Sequence, residues 1–162
     1  LPVYLKNDVV RYWKVLCLNY EERTRKKVDI GKRRLLNYKL RHSRLLTCYS
    51  AILYLCHLLR SGNSISLDEM RTMTEISPTD RLLKIQQGID NPAASELIDT
   101  ILLKYIAFLA NTEKTKSDLL ELFANDEYNR RQRSSAQPFG DLVFDLLKAI
   151  GEGTRLFRYL IV

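Results

Sequence analysis

Glycine and proline are scarce in this chain, six and four in 162 residues. An all-β fold with its many tight turns has little room in such a composition. Histidine is scarcer still, with only His42 and His57, too few for a zinc site built with cysteine. The three cysteines, Cys17, Cys48 and Cys56, are odd in number and form no Cys-x-x-Cys pair. Each sits in an apolar helical pattern, which points to buried, reduced thiols of a cytoplasmic protein rather than to a metal or redox centre. A membrane-length apolar run is missing as well. The uncharged stretch 45–59 falls short of the roughly 20 residues a bilayer requires and contains Thr47, Ser50 and His57, so a central core helix is the better reading. No P-loop, no Gly-x-Gly-x-x-Gly and no Gly-Ser followed by Asp-x-Asp occurs. The carboxylate pairs Asp68-Glu69 and Asp126-Glu127 fall at capping or loop positions. No catalytic and no metal-ligating residue is therefore assigned, and the chain alone is not expected to be a complete enzyme. It opens neither with Met nor with a secretory signal. Residues 1–5 read as an extended segment arriving from something upstream. Residues 1–162 are expected to form a single helical domain, the C-terminal part of a larger protein.

What is present is helical punctuation. Asn7 reads as an N-cap, with Asp8 in the first turn, for a helix over 8–25 that places Val9, Trp13, Leu16 and Tyr20 on one face. After an interruption over 23–27 and at Gly31, nothing breaks a helix from Lys32 to Arg60, and Ser61-Gly62-Asn63 supplies a glycine C-cap. This spine is amphipathic and basic in its first half and apolar nearly all round in its second. Ser66-Leu67-Asp68-Glu69 is a capping box. Ser77-Pro78-Thr79-Asp80 and Asn91-Pro92 open further helices, and 117–125 forms a short one. Residues 127–137 read as a polar, mobile loop, after which Pro138 leads a final helix running through Leu156 and Leu160 and weakened by Gly151 and Gly153. No segment alternates with period two. The fold expected is an all-α bundle of about six or seven helices around one long central helix.

Charge is divided unevenly. Residues 1–60 hold 14 Lys and Arg against 4 Asp and Glu, a net of +10, whereas the remainder carries −3. Such asymmetry implies an anionic partner: a polyphosphate, a nucleic acid or an acidic protein face. On the spine Asn37, Arg41 and Arg44 lie at i, i+4 and i+7, with Lys39 and Ser43 beside them. On the first helix Asp8, Arg11 and Tyr12 share a face, with Lys14 to one side. If the two helices pack antiparallel, the Arg11 and Arg41 faces would converge on one anion, which guanidinium groups hold bidentately. The alternatives are a solvated basic face, or Asp8 simply neutralising Arg11 or Arg41.

Three short motifs occur in order: Asn7-Asp8-Val9-Val10-Arg11-Tyr12-Trp13-Lys14, Lys39-Leu40-Arg41-His42-Ser43-Arg44 and Pro78-Thr79-Asp80-Arg81. Together they resemble the C-terminal helical region of bacterial nucleotidyltransferase-domain proteins of the polymerase-β-like superfamily, with Lys14 standing where that group has Arg. The Trp-Gly stretch of that group has no counterpart over 24–34. The resemblance implies an upstream nucleotidyltransferase domain carrying the carboxylates and Mg²⁺. The helical domain would complete the nucleotide or acceptor site through cationic phosphate contacts. Asp8, Arg11, Tyr12, Lys39, Arg41 and Arg44 are the candidate phosphate-binding residues, and an NTP or other anionic ligand the expected partner. A nucleic-acid-binding or protein-interaction module without catalytic role is the alternative. No membrane partner is expected.

Overall fold

A computed structural model of the chain describes residues 2–25, 29–62 and 64–158. Among them every regular element is helical: α1 (Pro2–Arg25), α2 (Ile30–Lys39), a π turn (Leu40–Arg44), α3 (Leu45–Ser61), α4 (Leu67–Glu75), α5 (Pro78–Gly88), α6 (Pro92–Thr112), α7 (Lys116–Ala124), α8 (Asp126–Gly151) and α9 (Arg155–Arg158). The all-α bundle expected from the pattern is what forms. Because α2 runs through the π turn into α3, these elements make eight rods rather than six or seven.

The spine is the one foreseen, with its apolar half as the core. Residues 51–56 are all buried, and Leu53 and Leu55 are fully enclosed. Against α3 pack α5, α8 and α1, bringing Ile85, Leu82, Phe139, Val143, Leu146 and Ile150 into one cluster with it. A smaller aromatic cluster closes the other end, where Leu35 and Tyr38 of α2 meet Phe108, Leu119 and Phe123.

Local signals place most element starts. Ser66 and Glu69 complete a reciprocal capping box, and Ser77, Asn91 and Thr115 each accept the backbone N–H that heads their helix. Four expectations are corrected. Residues 2–5 are helical rather than extended, because Val3 and Leu5 pack against the main core and proline suits a first turn; Asn7 is thus interior to α1 and caps nothing. Residues 127–137 are not a loop. Asn125 accepts from Tyr128 N, Asp126 and Glu127 favour the helix start, and Gln132, Ala136 and Phe139 bury one side of α8. Burial there outweighs the roughly 3 kcal/mol that Pro138 costs in a helix interior. The final helix ends at Gly151, and Gly153, in the left-handed region at φ +89°, turns the chain into α9; Leu160 lies outside the described residues. Gly62 follows α3 in an extended conformation, φ −158°, so its glycine supplies no left-handed cap.

The π turn is the feature no pattern announces. Leu45 N–H reaches Leu40 O, five residues back. Within it His42 is buried among Tyr38, Phe108 and Phe139. Its Nδ1 stands 2.9 Å from Tyr38 O; a carbonyl only accepts, so Nδ1 carries the hydrogen and donates it.

Candidate functional site

The helices α1 and α2–α3 run antiparallel. Tyr20 Oη accepts from Asn37 Nδ2 at 3.1 Å, and further along Trp13 meets Tyr49 edge-on, ring centroids 5.9 Å apart. Between the two helices lies a cleft of about 260 Å³ whose walls carry Tyr12, Asn19 and Arg23 from α1 and Lys39 and Arg44 from the spine. Among the described residues no carboxylate lines it. On the opposite side of α2, against α8, is a second cleft of about 260 Å³, and Tyr20 edges both. Arg33, Asn37 and Arg41 of the spine face Asn129, Gln132 and Arg133 of α8 across it.

Three of the six residues expected to bind phosphate, Tyr12, Lys39 and Arg44, thus meet in the α1–α2 cleft. Arg41 does not join them. In an unbroken α-helix positions 41 and 44 share a face, but the extra residue held in the π turn opens the angle between them and sends Arg41 to the α8 side. Asp8 and Arg11 line neither cleft. Arg11 Nη1 donates to Asp8 Oδ1 at 3.3 Å across one turn of α1, with both side chains mostly exposed, and such a surface pair contributes little. The convergence of Arg11 with Arg41 and Arg44 on one anion is therefore not found, because α1 turns that face to solvent.

The arginines differ in how far they are engaged. Arg34 Nη2 donates to Asp126 Oδ1 at 2.6 Å, while Nη1 donates to Phe123 O and Ala124 O at 3.2 and 3.0 Å. It thereby caps the C-terminal carbonyls of α7 and joins α7 to α2. By contrast, Arg23, Arg33, Arg41, Arg44 and Arg133 make no ion pair among the described residues. Gln132, almost fully buried, accepts from Asn111 Nδ2 at 3.4 Å through Oε1, and its Nε2 has no hydrogen bond among the described residues.

The third motif is structural. Ser77 Oγ accepts from Asp80 N and donates to Asp80 Oδ2, which secures the start of α5. Arg81 is buried, donating to Met73 O at 2.8 Å, Thr47 O at 3.1 Å and Ser50 Oγ at 3.2 Å, and so pins α4 and α5 to α3.

Other reactive groups are held quiet. Burial pushes the Cys48 and Cys56 thiols up to about 11 and raises Cys17 as well, which suppresses thiolate chemistry. Burial lowers His57 and, reinforced by the charge of Arg41, His42. Among the described residues no three His, Cys, Asp or Glu side chains are grouped to hold a metal. No described helix is long and apolar enough to cross a membrane.

Arg33, Asn129, Gln132 and Arg133 escaped the sequence reading. The signal was there: Asn129, Gln132, Arg133 and Ala136 follow helical spacing at i, i+3, i+4 and i+7, as Arg33, Asn37 and Arg41 do at i, i+4 and i+8. No family model, curated protein or solved structure matches the chain.

Proposed function

We propose that the bundle is the helical accessory domain of a nucleotidyltransferase, completing a nucleotide or acceptor site beside a catalytic core that lies outside these residues. One observation carries the reading: Tyr12, Lys39 and Arg44, drawn from the first two of the three motifs, line one cleft together with Arg23 and, among the described residues, without a carboxylate. A site of this composition holds negative charge. Guanidinium and ammonium donors approach phosphate oxygens with charge-assisted hydrogen bonds; here Lys39 is half-buried while Tyr12, Arg23 and Arg44 stand exposed and open to a ligand. The resemblance of the three ordered motifs to nucleotidyltransferase-domain proteins supplies the reaction class. The chemistry would be two-metal nucleotidyl transfer, with Mg²⁺ held by the catalytic core. A cytoplasmic location belongs to the same reading, since nucleotides are found there and free thiols stay reduced.

The test uses the intact protein. Lys39→Ala and Arg44→Ala should each weaken the NTP-dependent constant about ten- to hundredfold, the equivalent of roughly 1.5–3 kcal/mol, with the melting temperature kept. Unchanged kinetics in both variants would reject the cleft. The isolated chain, incubated with labelled NTPs and Mg²⁺ or Mn²⁺, should release no pyrophosphate. A nucleic-acid module would instead reveal itself by affinity for single- or double-stranded nucleic acid that falls steeply with salt as counterions are released.

A further inference from the structure

The cleft on the far side of α2 has no part in that reading, and its contents are independent of it. We infer that it is a second anion site, which binds an oligophosphate chain through Arg33, Arg41, Arg133 and Gln132. Four observations converge. Four arginines from two helical rods line one concavity of about 260 Å³, and three of them, Arg33, Arg41 and Arg133, have no ion-pair partner among the described residues. Among the described residues no carboxylate lines the cleft; Asp126 is bound by Arg34, which also covers the α7 carbonyls, and Asp29 caps the start of α2 through Lys32 N. Gln132 is only 7% exposed and spends its Oε1 on Asn111 Nδ2, while its Nε2, which makes no hydrogen bond among the described residues, stays accessible at the cleft. The charged groups at the cleft are all cationic, the guanidiniums of Arg33, Arg34, Arg41 and Arg133, beside the neutral carboxamides of Asn37, Asn129 and Gln132.

The spacing selects the ligand. Positions 33 and 41 lie eight residues apart on the spine, about 12 Å along a helix axis. Guanidiniums based that far apart, with Arg133 across the cleft, are matched better by a chain of linked phosphates, which presents an oxygen to each in turn, than by one orthophosphate. Bidentate pairing with successive phosphates is geometry that arginine supplies and lysine does not. Free nucleoside triphosphates and inorganic polyphosphate share this chemistry.

Calorimetric titration of the purified chain with tripolyphosphate, ATP and orthophosphate tests the site, with melting curves to establish that each variant folds. Tripolyphosphate should bind, and orthophosphate should bind at least tenfold more weakly. Arg33→Gln and Arg133→Gln should each weaken tripolyphosphate about ten- to hundredfold, whereas Lys84→Gln, exposed on α5 and outside both clefts, should leave it unchanged. ATP binding with the same sensitivities names a nucleotide as the source; tripolyphosphate binding without ATP binding names inorganic polyphosphate. Loss of affinity in Arg44→Gln of the other cleft but not in Arg133→Gln overturns the assignment, as does equal affinity for orthophosphate or the absence of binding. Binding of an RNA homopolymer without binding of tripolyphosphate also overturns it. Because the two clefts use different cations, this site can fail while the Lys39 and Arg44 kinetics hold, and the reverse.

Discussion

Arg81 carries a full charge inside the protein with only neutral acceptors around it, and those acceptors lie on helices other than its own. Removing the side chain takes the Arg81 donor from Met73 O, Thr47 O and Ser50 Oγ at once, leaving the last two only their contact with each other and α3, and leaves a void. Arg81→Ala should therefore cost roughly 3 kcal/mol or more in urea unfolding, and Arg81→Lys should recover little, because one ammonium cannot span a fork-shaped set of acceptors. A loss within about 0.5 kcal/mol would show the network to be dispensable. His42 offers a second residue-scale test. Its folded pKa is lowered from 6.5, first by burial and then by Arg41. The unfolded chain therefore takes up a proton that the folded one refuses. The stability due to neutral His42 is present above about pH 6.5 and is lost as the pH falls below it. His42→Phe should flatten that part of the stability–pH curve, with His57, shifted in the same direction, accounting for what slope is left. Arg41→Ala should raise the His42 pKa seen by NMR; an unmoved value would place the guanidinium elsewhere than the π turn.

At the scale of elements, starts were easier to read than interruptions. Capping chemistry is local, so Ser66, Ser77 and Asn91 disclose their helices within four residues of sequence. Pro138 misled because proline belongs most often to a first turn, and here it sits mid-helix, carried by the burial of residues on either side. The π turn left no mark, since one extra residue per turn alters no propensity; what holds it is the fit of His42 among three rings, a tertiary contact. Gly31 shows the same limit from the other side. It looked like a separator between helices, yet it lies within α2 where that helix presses on α7, and a Cβ there would stand 2.1 Å from Leu120 O. Gly31→Ala must push α7 away, at an expected cost of about 1–3 kcal/mol by chemical denaturation, despite alanine's better helix propensity. A stabilised variant would mean that α7 is not seated there.

For the whole molecule, the charge asymmetry of the sequence becomes a spatial fact. The excess of positive charge in residues 1–60 was legible, and Tyr12, Lys39 and Arg44 were among the residues expected at the site, although the convergence expected was that of Arg11 with Arg41 and Arg44. The division of the cations between two sides of α2 was not legible, because it depends on the π turn and on α8 being helical from Asp126. Within the described residues there are three ion pairs, two of them exposed contacts across a helix turn, so screening has little attraction to remove. Repulsion outweighs that attraction: the chain carries +7 overall, and its clefts hold arginines close together without acids among them. Added salt should consequently raise the melting temperature between low and moderate ionic strength, where the screening length contracts from about 30 Å to about 10 Å. Sulfate should raise it further than chloride at equal ionic strength, since a divalent oxyanion also binds the folded clefts and stabilises by mass action. Combining Arg33→Gln with Arg44→Gln should abolish most of the sulfate excess and raise stability at low salt. A melting temperature that falls as salt is added would mean that attraction, not repulsion, governs the charges of this bundle.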